Sequence, residues 1–183
     1  RLSLDNWRTL NRLMQEMARH AERGSSLTEV LSQLDRSVVT LMTLAGFTLD
    51  GMTRDQGWRF LSIGRRLERL QSMSLTLSQA LAHAREGNES DLDWLLEVAD
   101  SIITYRSRYM SRPEWLPVLD LLVLDESNPR SLCFQILGLY DYLVRLSETF
   151  GPCEAESLEP LITRLHALDA ADLYFQVSRE ESW

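Results

Sequence analysis

Apolar residues recur at three- and four-residue steps along almost the whole chain, the pattern of helices that bury one face. Ser3-Leu4-Asp5 supplies N-cap candidates for a first helix that runs to about Arg23 and stops at Gly24. Leu10, Leu13, Met14 and Met17 form its stripe. Ser25, Ser26 or Thr28 can cap a second helix, with Val30, Leu31, Leu34, Val38, Leu41 and Leu44 turned inward. It ends near Gly46, ahead of a turn at Leu49-Asp50-Gly51. The third helix is the longest, from about Arg54 to Arg85, with Gly87 as its stop. Phe60, Ile63, Leu67, Leu70, Ser74, Leu77 and Leu81 make one stripe, while Trp58, Leu61, Arg65 and Glu68 lie on the other side. Large apolar residues on two faces suit a helix in the middle of a bundle, a place that buries part of its charge.

Ser90-x-x-Asp93 resembles a capping box and opens a fourth helix to about Met110, broken at Arg112-Pro113. Glu114–Leu124 is short and apolar, one helix broken or started at Pro117. Asn128-Pro129 reads as an N-cap followed by Pro at the first helical position of a helix ending at Gly151-Pro152. A seventh covers about Ser157–Leu168, and a short last one Ala171–Ser178. No segment alternates as a half-buried strand does. The expected fold is all-α, a bundle of about six to eight helices with a long central helix near residues 54–86, in a single domain over residues 1–183.

Composition narrows the function classes. A charged fraction of 25% and a hydrophobic fraction of 44% are ordinary for a globular chain, and no apolar run is long enough to span a bilayer. A net charge of −8 argues against non-specific binding to nucleic acid or anionic membrane. All 19 basic residues are Arg, as base composition alone can produce, so a Lys Schiff base and a Walker-type Lys are excluded within this chain. Cys133 and Cys153 stand in no metal-ligand spacing and suit a reducing cytoplasm. His20, His83 and His166 are far apart, and no Glu precedes a His by three residues, so no metal site is expected. Gly-rich phosphate loops and nucleophile elbows are absent, and no cofactor is implied.

Three segments hold charge that needs an explanation. Gly57–Leu70 sets Arg65, Arg66, Glu68 and Arg69 within about one helical turn. Arg65 reaches Glu68 at i+3, but one Glu cannot neutralise three Arg. The excess is met by carboxylates such as Asp55, Asp100 or Asp125, or by an anionic ligand or partner suited to the guanidinium fork. The bland alternative is a buried ion network that sets helix register. In the second segment, Tyr105 and Tyr109 share a face beside Arg108, which ordinary core tyrosines also explain. The third, Asp125-Glu126-Ser127-Asn128-Pro129-Arg130-Ser131, puts Arg130 where a cation is mildly unfavourable, in the first turn of a helix. Arg130 therefore pairs with a carboxylate, and Asp125 and Glu126 are nearest in sequence.

Together GWRFLSIGRRLERL, ITYRSRYM and LDLLVLDESNPRSLCFQI resemble the alpha-E domain, a bacterial all-helical domain named for a Glu-Arg motif. The opening RLSLDNWRTLNRL is also similar, so the likeness covers Arg1 to about Leu146. Domains of that family begin with an earlier segment bearing its own Glu-Arg motif. This chain, which opens on Arg1, looks like the C-terminal part of one and is expected to be a fragment. Helices missing from it would cover the Arg65–Arg69 surface, or that surface would pair with a second copy.

The resemblance implies an association with a circularly permuted ATP-grasp ligase-like protein, often with a transglutaminase-like one. It points to the making or modification of a peptide or amide-linked product, with ATP chemistry left to the partner. The leading expectation is a non-catalytic accessory module that holds an anionic peptide or partner through Arg65, Arg69, Arg108 and Arg130. One alternative is an acyl or amide transferase or hydrolase, with Glu68 as general acid/base and Tyr105 and Arg108 stabilising an oxyanion. Another is a purely structural bundle.

Overall fold

The computed structural model describes residues 3–21, 26–85 and 92–179. The proposed stops at Gly24 and Gly87 and caps at Ser25 and Ser90 lie outside them. Among the described residues the fold is all-α, with nine α-helices and no strand. None of these helices is long and apolar enough to cross a membrane. The chain divides into two compact units, Arg1–Arg59 and Phe60–Trp183.

In the first unit α1 (Leu4–Ala21) pairs with α2 (Leu27–Gly51). Ser26 caps α2 in a full capping box: its hydroxyl accepts from the Glu29 N–H, and the Glu29 carboxylate accepts from the Ser26 N–H at 2.8 Å. The helix runs past Gly46 and takes in the expected turn at Leu49-Asp50-Gly51. Its seam differs from the periodic reading. The buried residues are Leu13 and Asn6 of α1 with Gln33, Ser37 and Thr48 of α2. Val30, Leu31, Leu34, Val38 and Leu41 are each more than 40% exposed. Ser37 and Thr48 bond back along their own helix, to the Gln33 and Leu44 carbonyls, while Asn6 Oδ1 and Gln33 Nε2 are buried in the seam without a hydrogen-bond partner among the described residues.

Asp55 caps α3 (Gln56–Arg85), accepting from the Trp58 N–H at 3.1 Å. From Phe60 onward α3 belongs to the second unit, where Leu77, Met73 and Leu81 pack on the core. The expected stripe holds only at that end, because Phe60 and Leu67 are exposed.

The expected fourth helix is two, α4 (Leu92–Val98) and α5 (Ile102–Tyr109). They part at Asp100, whose φ is +49°, a left-handed conformation that Asp tolerates better than most residues. The reversed backbone is satisfied by the Ser101 N–H on the Leu96 carbonyl at 2.8 Å. Next, α6 (Trp115–Leu119) passes without a break into a π-helical turn, Asp120–Leu124, and Pro117 sits harmlessly in its first turn. After a loop over residues 125–131 come α7 (Leu132–Phe150), a 3₁₀ turn (Ala155–Leu158), α8 (Glu159–Ala167) and α9 (Ala170–Arg179). Gly151, at φ +85°, ends α7. Leu95, Leu96, Tyr105, Val118, Leu121 and Leu122 are essentially sealed and form the centre of this unit.

Candidate functional site

The loop over residues 125–131 organises the polar chemistry of the second unit. Asn128 does not cap α7; Ser131 does, accepting from the Phe134 N–H at 3.0 Å and donating to the Asp125 carbonyl. Asn128 points into the core instead. Its amide donates to the Leu121 carbonyl at 2.9 Å and to the Ser101 hydroxyl at 3.4 Å, and its oxygen accepts from the Arg130 N–H at 3.0 Å. One buried side chain thus ties the π-helical turn, the α4–α5 bend and the loop together.

Arg108 reaches across from α5 to pair with the Asp125 carboxylate, and it donates to the Ser127 hydroxyl at 3.1 Å. Burial favours the neutral form of Asp125. Bonds from the Ser127 hydroxyl and N–H, and from Arg108, outweigh burial and hold the carboxyl below the ordinary aspartate value. A carboxyl depressed on folding adds stability that is fully present above its unfolded pKa, about 3.9, and lost as pH falls through the folded value. Thermal melts of the wild type are therefore expected to lose stability more steeply below about pH 4 than melts of Asp125→Asn. Parallel curves would remove the charge of Asp125 from the account.

Nearby, burial and a bond to Asp120 at 2.7 Å push the Tyr109 hydroxyl up to about 12. Tyr105 is fully buried, with its hydroxyl donating to the Arg112 carbonyl at 3.2 Å and accepting from the Glu114 N–H at 3.1 Å. Both polar functions of that tyrosine are occupied by backbone.

On α3 the charged cluster separates into two roles. Arg66 turns toward α7 and donates to the Phe134 carbonyl at 3.2 Å and to the Gln135 amide oxygen at 3.1 Å. Its guanidinium also lies over the rings of Phe134 and Tyr142. It occupies the space that a side chain at position 138 would fill, so only Gly fits there without displacing it. Arg65, Glu68 and Arg69 make no ion pair among the described residues, so the anticipated i+3 pair is not formed. On the α3 surface, pairing Arg65 with Glu68 gains little over separate solvation.

Arg69 and Arg130 line one cleft of about 140 Å³. Ser72 and Gln135 add polar atoms, and Met73, Val98, Ala99 and Pro129 form its apolar wall. Arg130 pairs there with Asp100 at the α4–α5 bend, not with Asp125 or Glu126 as sequence proximity suggested. Partial desolvation and the like charges of Arg65, Arg130 and Arg66 hold the Arg69 guanidinium below its usual value. Four guanidinium groups thus share one region with Asp100 as the paired carboxylate. Small-molecule sites usually enclose about 300–1,000 Å³, so this cleft suits a single anionic group, a carboxylate or a phosphate, better than a whole nucleotide. Of the nine expected site residues, Arg69 and Arg130 line the cleft, Arg65 and Arg66 shape its field, and Asn128 anchors its rim. Arg108 with Asp125, and Tyr105, are engaged elsewhere, and Glu68 is exposed to solvent.

A second constellation had no sequence signal. Glu126, Cys133 and His166 present ligand atoms that all lie within 4.8 Å of one another. They come from the loop, the first turn of α7 and the last turn of α8. No spacing rule links three such elements.

A family model for Alpha-E, a predicted alpha-helical domain with a conserved ER motif, matches residues 1–181. Uncharacterized proteins of Mycobacterium tuberculosis and Mycobacterium bovis are 27% identical over 171 residues, which is 90% of this chain. The matched region is 19% of those proteins, so the chain spans about a fifth of their length. No solved structure matches it.

Proposed function

The chain belongs to the Alpha-E family, and on that premise we propose that it is a non-catalytic accessory module that captures an anionic group of a peptide or partner protein. The partner in this reading is a circularly permuted ATP-grasp ligase-like protein that makes or modifies a peptide or amide bond in the bacterial cytoplasm. A transglutaminase-like protein is a further candidate for the same assembly. The observation that carries the reading is the cleft of Arg69 and Arg130, where Arg65 and Arg66 add positive charge and neither forms an ion pair among the described residues. A carboxylate or phosphate entering it relieves repulsion among the guanidinium groups and gains charge-assisted hydrogen bonds.

The alternative with Glu68 as general acid/base draws less support. Glu68 is exposed, Tyr105 is sealed, and Arg108 is held by Asp125 and Ser127.

The test is light scattering on size-exclusion fractions of the chain mixed with the ATP-grasp-type protein, with and without ATP. A mixed complex is expected. Arg69→Glu, folded by circular dichroism, is expected to weaken it by about tenfold or more, which corresponds to about 1.4 kcal/mol. An Arg69→Glu chain that binds as the wild type does would overturn the proposal, as would no association under either condition.

A further inference from the structure

We propose that Glu126, Cys133 and His166 form a binding site for a divalent transition-metal ion, Zn²⁺ by the nature of the donors. A thiolate, an imidazole and a carboxylate are the side chains that bind this ion, and three protein ligands with an open fourth position form a recurring zinc arrangement. The ligand atoms already lie within 4.8 Å of one another, and His166 Nε2 stands 3.1 Å from Glu126 Oε1. With metal–ligand bonds of about 2.0–2.3 Å, ligand atoms around a tetrahedral ion stand roughly 3.3–3.8 Å apart. Closing the difference takes about 1 Å of movement by this estimate. Glu126 and His166 are exposed and can supply it by rotation, while Cys133 is buried and fixed.

The backbone positions are held independently of any ion. Ser131 caps the turn that carries Cys133, and Asn128 pins the loop that carries Glu126. The exposed side of the site leaves the fourth position to water or to an external ligand. On binding, the Cys133 thiol gives its proton to solvent, and the thiolate and carboxylate together balance the dication.

The experiment is a Co²⁺ titration of the full chain, followed by optical absorption. A thiolate-to-cobalt charge-transfer band is expected, saturating at one equivalent and abolished by Zn²⁺. It should persist in Cys153→Ser and vanish in Cys133→Ser. Loss of an outer-shell partner alone weakens metal sites by about 10–100-fold, so His166→Ala is expected to weaken binding by at least about tenfold. Should Cys133→Ser fail to fold, His166→Ala and Glu126→Gln, at exposed positions, decide the matter. No thiolate band in the wild type, a band that survives Cys133→Ser, or unchanged affinity in both exposed variants would overturn the proposal.

Discussion

Asn128→Ala is expected to lower stability by about 2–4 kcal/mol, because it leaves several inward groups without their partner. The Leu121 carbonyl loses the donor that reaches it at 2.9 Å, and the Arg130 N–H loses its acceptor at 3.0 Å. Ser101, only 1% exposed, loses the amide as well. For a domain of this size the melting temperature should fall by roughly 4–15 °C. Asp at this position isolates the cause. An ionised carboxylate has acceptors only and cannot donate to the Leu121 carbonyl. Asn128→Asp should therefore be no better than Ala at neutral pH, despite its matching shape. Urea unfolding of the three proteins checks this; a loss below about 0.5 kcal/mol in Asn128→Ala would show that the anchor is dispensable.

Gly138→Ala is expected to change sign with its partner. In the wild type the new methyl takes the space of the Arg66 guanidinium. Arg66 must leave, giving up its bonds to Phe134 and Gln135 and its place over two rings. The loss should be about 1–3 kcal/mol. In an Arg66→Ala background the three atoms nearest the new methyl are gone, and replacing Gly by Ala within α7 should then stabilise by up to about 1 kcal/mol. A double-mutant cycle in urea should return a coupling energy at the upper end of the ~0.5–3 kcal/mol found between contacting residues. Additive effects would mean that Arg66 and Gly138 do not share that space in solution.

The helices were legible because a repeating apolar stripe is a local property of the chain. So was the stop at Gly151, where one residue type meets one backbone need, while the cap of the second helix was narrowed to Ser25, Ser26 or Thr28, of which Ser26 serves. The bend at Asp100 was hidden, since Asp inside a helical pattern usually means nothing. Asn128 was misread as a cap because Asn-Pro serves equally well in a loop whose side chain faces inward. In the second helix the periodicity placed Val30, Leu31, Leu34, Val38 and Leu41 inward, but they are exposed and the seam with α1 is mainly polar. Site residues were recognised as charge in need of a partner, and the partners were mostly wrong. Arg108 with Asp125 and Arg130 with Asp100 each join elements whose proximity depends on core packing. The grouping of Glu126, Cys133 and His166 escaped for the same reason.

The bend at Asp100 also sets the charge beside Arg130. One residue there supplies both a left-handed backbone and the carboxylate that faces Arg130. Asn and Gly accept the same backbone geometry but carry no charge. A single substitution to either frees a guanidinium at the cleft without asking the chain to refold. Backbone shape and local charge are thus set by separable properties of one residue, and either can be altered at position 100 while the other is kept.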